Sequence, residues 1–265
     1  MANIPETIVL SLQTDDTRRR HIRKHFSEIG LTNFRFADAI PADSPLVASW
    51  YATGKVNIYP PCFRCGKSQC SCPNNILNPS QVANFLSFAR IWAVLPKEPQ
   101  RLFLICEDDV LFFPGAIDRL SDFLSGFVPT GKPLLLRLSE SGLPTEQTVK
   151  SRLRSSHDKI MSNPAYIVNG AMADLLSQRF DEIDTTSDIW LHRHIASDPW
   201  VEALSLEPRL TTDLSYNAAH ARFPSNIHPK GIDEADRQRQ VRHIKRVDTP
   251  SQYDQLRQQW ARAIT

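Results

Sequence analysis

The chain has 265 residues, 41% hydrophobic and 23% charged, which suits one large core with a short appendage. Its 31 Lys and Arg against 29 Asp and Glu leave a formal charge of +2, too balanced to drive nucleic-acid or membrane binding by bulk charge. No apolar run reaches the roughly 18–20 residues that span a bilayer, and Met1–Gln13 has no basic export signal, so a cytoplasmic setting is expected.

Aliphatic Thr7–Leu12 predicts a buried strand, followed by a polar loop whose Asp and Thr residues can cap a helix. Ile22, Phe26 and Ile29 recur at helical spacing, and Gly30 is a natural stop. Phe34–Ala37 reads as the next strand, so a parallel strand–helix–strand unit is expected. Pro41–Asn78 looks irregular and holds four of the five cysteines. A helix is predicted from Pro79 to Leu95, a strand at Leu102–Cys106, and an apolar stretch at Val110–Phe113. A helix at Ala116–Leu124, strands at Leu134–Leu138 and Ala165–Val168, and a helix at Ala171–Arg179 continue the alternation. Ser187–Ile195 reads as helix and Val201–Leu206 as strand. From His228 the chain is polar and basic with helical spacing.

The most informative feature is Glu107-Asp108-Asp109, directly after an apolar strand. Carboxylates at the C-terminal edge of an α/β sheet sit where such sheets bind ligands. Oxygen ligands suit Mg²⁺ or Mn²⁺, and such cations bridge to diphosphates. The plainer reading is a solvated turn with a capping Asp. The apolar flanks argue against it, because like charges at the mouth of a core strand need a neutralising partner.

The pieces IVLSLQTDDTRRRHIRKHFSEIGL, FRFADAI, LNPSQVANFLSFARIWAVL, LFLICEDDVLFFPGAI and NPAYIVNGAMADLL, with the Asp188 region, follow one another in a fairly specific order. Together they resemble glycosyltransferase family 25, the lipopolysaccharide-type enzymes that include collagen hydroxylysine galactosyltransferases. The resemblance covers roughly Thr7 to Leu214. It implies a GT-A-like nucleotide-diphospho-sugar fold with a mostly parallel central sheet, and inverting transfer of galactose or glucose to a glycan or lipooligosaccharide hydroxyl. The implied partners are a nucleotide-diphospho-sugar, UDP-linked by preference, and a glycan or lipid-linked acceptor. Glu107, Asp108 and Asp109 match the family's acidic motif, with Asp109 and Asp108 as ligands of a catalytic Mn²⁺ or Mg²⁺. Asp16, Arg19 and Arg20 are matched to the Asp-x-Arg-Arg pattern near the donor. Ser11 lies on the same strand end, Asp38 matches the Asp-Ala-Ile acid, and Ser87 matches the serine of a Ser-His pair. Here Phe88 stands where that His belongs, which puts the acceptor in question. Asp188 matches an acid before the last helix and is the first candidate for the base that inversion requires, with Asp184 in reserve. The plainer role for Asp188 is helix capping. By analogy with GT-A enzymes, His220 is a candidate metal ligand.

Cys62-x-x-Cys65 and Cys70-x-Cys72 place four thiols within eleven residues. This spacing suits a structural Zn²⁺, and Gly66 permits the tight turn after the first pair, though the span is short for four thiolates and leaves open a ligand from elsewhere in the chain. Zinc is favoured over disulfides because no export signal is present. The proposed organisation is a transferase domain over residues 1–227, with a cysteine-rich insertion at 55–76, and a basic helical appendage at 228–265. Arg237, Arg239, Arg242, Lys245, Arg246, Arg257 and Arg262 make that appendage a solvated face or a contact for lipid or nucleic acid.

Gly126 to Lys132 mimics a phosphate loop but follows a helix and lacks the Ser or Thr that would bind Mg²⁺. His21 and His25, one turn apart, have the spacing of a metal-binding pair, but are assigned with Arg18, Arg20 and Lys24 to a solvated basic face. His192 and His194 do not share a face. Two alternatives to a glycan transferase stay open: the same chemistry on a hydroxylated DNA base, and a non-catalytic zinc-stabilised binding module.

Overall fold

The computed structural model describes residues 4–56, 61–72, 75–139, 152–155, 164–215, 223 and 246–263. In chain order the elements are β1 (Glu6–Ser11), α1 (Asp16–Glu28), β2 (Phe34–Asp38), α2 (Pro45–Ala52), α3 (Pro79–Val94), β3 (Leu102–Glu107), β4 (Val110–Phe112) and α4 (Ala116–Gly126). There follow β5 (Leu134–Arg137), β6 (Arg152–Ser155), β7 (Ala165–Asn169), α5 (Gly170–Gln178), α6 (Ser187–Ile189), β8 (Glu202–Glu207), β9 (Thr211–Asp213) and α7 (Pro250–Ala263). Contacts group the chain into two units. The first takes Met1–Ala39, Ala89–Arg179 and Asp188–Phe223, and the second Ile40–Phe88, Phe180–Ser187 and Pro224–Thr265.

The first unit is built on a sheet of order β2-β1-β3-β7-β5-β8-β6. β1 pairs parallel with β2 and β3, β5 pairs parallel with β8, and β7 and β6 are antiparallel to their neighbours. Five strands therefore share a direction, which makes a mixed α/β sheet that is mostly parallel. Its middle strands are apolar on both faces, as helix-covered parallel strands must be: Phe103–Cys106 and Leu134–Leu136 are wholly buried.

Helix α1 shows why this sequence folds as it does. Asp15 caps it by accepting the Arg18 N–H at 3.0 Å. The buried face follows the i, i+4, i+7, i+8 rule through Arg18, Ile22, His25 and Phe26. Gly30, at φ +73°, takes the left-handed position that ends the helix, and the Leu31 N–H returns to the Phe26 carbonyl at 2.8 Å.

Asn169 closes β7 and caps α5. Its Oδ1 accepts the N–H groups of Met172 and Leu134 at 2.9 and 3.0 Å, and its Nδ2 donates to the carbonyls of Pro99 and Lys132 at 2.6 and 2.7 Å. Gly170 comes next because nothing larger fits. A Cβ there would lie 2.1 Å from the Glu98 carbonyl oxygen.

In the second unit α3 starts with a reciprocal cap. Asn78 Oδ1 accepts the Gln81 N–H at 3.0 Å, and Gln81 Oε1 accepts the Asn78 N–H at 2.9 Å, with Pro79 in the first turn. Helix α7 packs on α2, and Ile76, Val247, Tyr253 and Leu256 form a small core against Trp260. The Tyr253 hydroxyl donates to the Val56 carbonyl at 2.8 Å. Residues 228–245 of the basic appendage, with Arg237, Arg239, Arg242 and Lys245, lie outside the described residues.

Three expectations need correction. The segment expected to be irregular contains α2, opened by Ser44, whose hydroxyl accepts the Leu46 N–H at 3.3 Å, and by Pro45 in the first turn. The single helix expected over Ser187–Ile195 is α6 followed by a π-helical stretch, Trp190–Ile195. His25 and Arg18, assigned to a solvated face, are buried. The Phe112 N–H donates to His25 Nε2 at 2.9 Å, which requires a neutral ring protonated on Nδ1.

Burial, and then the neighbouring His21, push His25 from its usual 6.5 down to about 4. A neutral buried ring favours folding fully above the unfolded value and progressively less as pH falls toward the folded one. Acidifying from pH 7 to pH 5 should therefore remove about 2 kcal/mol of stability through this residue. Urea midpoints at the two pH values should converge in His25→Gln relative to the parent. An unchanged acid loss in the variant would assign it elsewhere.

Candidate active site

Because β1, β2 and β3 run parallel, their C-terminal ends meet at one edge of the sheet. The register aligns Ser11 with Asp38 and Leu10 with Glu107, so these three polar residues sit together at that edge. The Glu107 N–H donates to the Pro164 carbonyl at 2.9 Å, fixing the strand end. The chain then turns through Asp108 and Asp109 into β4. Pairing of β4 with β9 sets Val110 opposite Asp213, and the Leu214 N–H donates to the Asp109 carbonyl at 2.9 Å.

Arg18 reaches into this cluster from the first turns of α1. Its Nη1 lies 2.6 Å from Asp108 Oδ1 and 3.5 Å from Asp109 Oδ2, and its Nε is 3.6 Å from Asp15 Oδ2. Arg18 is 7% exposed, Asp108 7% and Asp109 4%. Burial alone would lower Arg18, but Asp108 and Asp109 together hold it above its ordinary value. The acids pay no such compliment to one another. Burial, reinforced by Asp109, Asp188, Asp213 and Asp108, pushes Glu107 well above the carboxylate range. Burial also pushes Asp109 up to about 6, against the opposing pull of Arg18.

Asp109 Oδ1 is buried with no hydrogen-bond partner among the described residues. A buried carboxylate oxygen without a donor, set among further carboxylates, fits a hard divalent cation. Among the described residues, the acids of this cluster do not form a group of three or more placed to share an ion, as the cysteines below do. Here a cation would draw most of its oxygen ligands from water and a bound diphosphate, as Mg²⁺ commonly does.

The other candidates sort by position. Arg19 donates to the carbonyls of Leu12 and Ser11 at 3.1 Å each, pairs with the Asp38 carboxylate and covers the Phe36 ring at 4.8 Å. Ser11 is buried beside it at the end of β1. Asp16 and Arg20 are exposed, linked by Arg20 Nε to the Asp16 carbonyl at 3.3 Å. Counted from Asp16, the Asp-x-Arg-Arg spacing falls on Arg18 and Arg19, and it is Arg18 that meets the acids. Asp188, half-buried at the start of α6, adds its charge to Glu107. His192 is buried on the π-helical stretch and held well below its usual value by burial and then Arg137, while His194 is exposed. His220 lies outside the described residues.

Asp184 and Ser87 belong to the second unit. Asp184 is exposed. Ser87 is buried, accepting the Ile40 N–H at 2.8 Å and donating to the Ala83 carbonyl at 2.6 Å, with Phe88 buried next to it.

Three charged residues were not read as site residues from the sequence. Arg18 had a signal, since it shares the helical stripe of Ile22 and Phe26. Arg137, fully buried at the end of β5, had one too: a lone cation closing the apolar run Leu134–Leu136. Asp213 had none, because β9 is too short to show a period.

The second unit gathers Cys62, Cys65, Cys70 and Cys72 so that their sulfur atoms all lie within 4.8 Å of one another. Each is a free thiol. Backbone N–H groups of Cys65 and Arg64 point to the Cys62 sulfur, and that of Lys67 to the Cys65 sulfur. Gly66, at φ +70°, makes the turn between the pairs, and its N–H donates to the Cys62 carbonyl at 2.7 Å. Such a cluster can hold a metal such as zinc.

Comparison with protein families matches residues 4–191 to Glycosyltransferase family 25 (LPS biosynthesis protein). The matched stretch contains Arg18, the Glu107–Asp109 acids and Asp188; Asp213 lies beyond it. No curated protein matches the chain.

Proposed function

The chain belongs to glycosyltransferase family 25, and from that membership we propose an inverting, metal-dependent hexosyltransferase of GT-A type. It moves galactose or glucose from a nucleotide-diphospho-sugar, UDP-linked by preference, to a hydroxyl of a glycan or lipid-linked glycan. The observation that carries this reading is the buried acid cluster with its unpartnered Asp109 oxygen, at the sheet edge where α/β folds take ligands.

Asp108 and Asp109 would hold Mn²⁺ or Mg²⁺, which supplies Lewis acidity to the departing diphosphate. Arg18 adds the fixed positive charge beside it. Arg19, anchored to Ser11, Leu12 and Asp38, shapes the adjoining strand ends for the nucleotide. Asp188 takes the proton of the acceptor hydroxyl as its oxygen bonds to the anomeric carbon and the bond to the diphosphate breaks. In the second unit the four thiolates hold a structural Zn²⁺, and free thiols suit a reducing, cytoplasmic compartment. Among the described residues no helix is long and apolar enough to cross a membrane.

Asp188→Asn tests the base assignment. Turnover should fall about 10²-fold or more with the donor KM unchanged, the scale of a missing general base. A loss of donor affinity at preserved turnover would move Asp188 to the donor site. A screen of nucleotide sugars for Mn²⁺-dependent hydrolysis identifies the donor.

A further inference from the structure

We propose that the zinc ion on Cys62, Cys65, Cys70 and Cys72 is the fastener of helix α7, with Arg246 as the charge that couples ion to helix. This rests on the zinc reading of the second unit. A tetrahedral ion with zinc–sulfur bonds of about 2.3 Å sets its sulfurs about 3.8 Å apart, a small contraction of the cluster seen here.

Four thiolates around Zn²⁺ carry a net charge of −2. Two cations line the same depression as Cys65, Cys70 and Cys72: Lys67, which belongs to the cysteine segment itself, and Arg246, which alone of the two lies beside α7 in the chain. Asp248 first, and then Cys70 and Cys72, hold its guanidinium above the ordinary value.

Arg246 stands immediately before the anchor of α7. Val247 is 2% exposed, its N–H donates to Asn75 Oδ1 at 3.0 Å, and its carbonyl accepts the Asn75 Nδ2. Asn75 is only three residues beyond Cys72, and Ile76 joins Val247, Tyr253 and Leu256 in the core that holds the helix. The last zinc ligand and the seat of α7 are therefore one short piece of chain. Among the described residues that core has four buried side chains with Trp260 against it, a small cluster to which a metal staple beside it adds. Metal binding then adds to the docking free energy that packing on α2 already supplies, and zinc loading and helix docking become coupled equilibria.

The test uses the full chain and zinc alone as the probe. Purified protein should contain about one zinc per chain. Stripping it with a chelator should speed hydrogen exchange across Pro250–Ala263 tenfold or more, leave β3 exchange unchanged, and reverse when ZnCl₂ is restored. Unchanged protection of α7 after zinc has left overturns the coupling while leaving the zinc site standing. Protein that carries no zinc, with four freely alkylated thiols, overturns the zinc reading itself. Arg246→Gln should keep its zinc and still exchange α7 several-fold faster; parental exchange in that variant removes Arg246 from the account. Asn75→Ala, also zinc-replete, should free the helix by breaking the Val247 anchor, and a helix that stays protected there overturns the shared seat.

Discussion

Asp109→Asn should lower sugar transfer about 10³-fold or more while the melting temperature stays unchanged or rises, because the loss falls on transition-state charge stabilisation. Both halves follow from the same environment. Burial first, and then the neighbouring Asp108 and Asp213, push the carboxylate up to about 6, so an amide of equal shape removes a costly buried charge at little structural cost. The same exchange replaces a cation ligand by a weaker one and turns the unpartnered Oδ1 into a group no longer suited to Mn²⁺. Cation and diphosphate affinity should fall together. Turnover near the parent level at saturating Mn²⁺ would overturn the assignment.

The second large effect is on stability. Arg18→Met should cost about 3–5 kcal/mol near neutral pH, the range for breaking a buried ion pair from one side. Arg18 is the cation within 4 Å of Asp108 and Asp109, and its loss leaves two buried carboxylates facing each other. The penalty should shrink as pH falls and the acids take up protons, since protonation removes the unpaired charge. Arg18→Met combined with Asp108→Asn should recover much of the loss, a coupling that urea titration reads directly. If the single variant unfolds at the parent's midpoint, the pair is not what neutralises the cluster.

How much of this was readable beforehand depends on the distance each signal travels along the chain. The stripe Ile22–Phe26, the stop at Gly30 and the apolar run before Glu107 are local, and local periodicity exposes them. The four cysteines are also local, so their spacing alone announced a cluster able to hold a metal. Arg18 and Asp108 stand 90 residues apart and meet only because β1 and β3 pair in parallel. No window of sequence contains that pairing. Asp213 arrives through a second pairing, β4 with β9, equally silent. Other misses were of a different kind. Ser44-Pro45 is a readable helix start, obscured by the prolines and cysteines around it. The stretch WLHRHI reads as helix by composition, and nothing in its spacing separates a π turn from an α turn.

The Asn169-Gly170 step carries a chemical consequence of its own. In a loose chain, Asn followed by Gly is the pair most prone to deamidation: the glycine nitrogen attacks the side-chain carbon, ammonia leaves, and isoaspartate follows. In the fold every participant is occupied. The amide oxygen accepts two hydrogen bonds, the amide nitrogen gives both of its hydrogens, and the Gly170 N–H is held by the Arg101 carbonyl at 3.0 Å. The nitrogen cannot swing onto the carbon without breaking that set and the β7–α5 junction with it. Isoaspartate at position 169 in stored protein therefore accumulates only during excursions out of the native state. Its amount records how often this junction has opened, a covalent clock wound by unfolding.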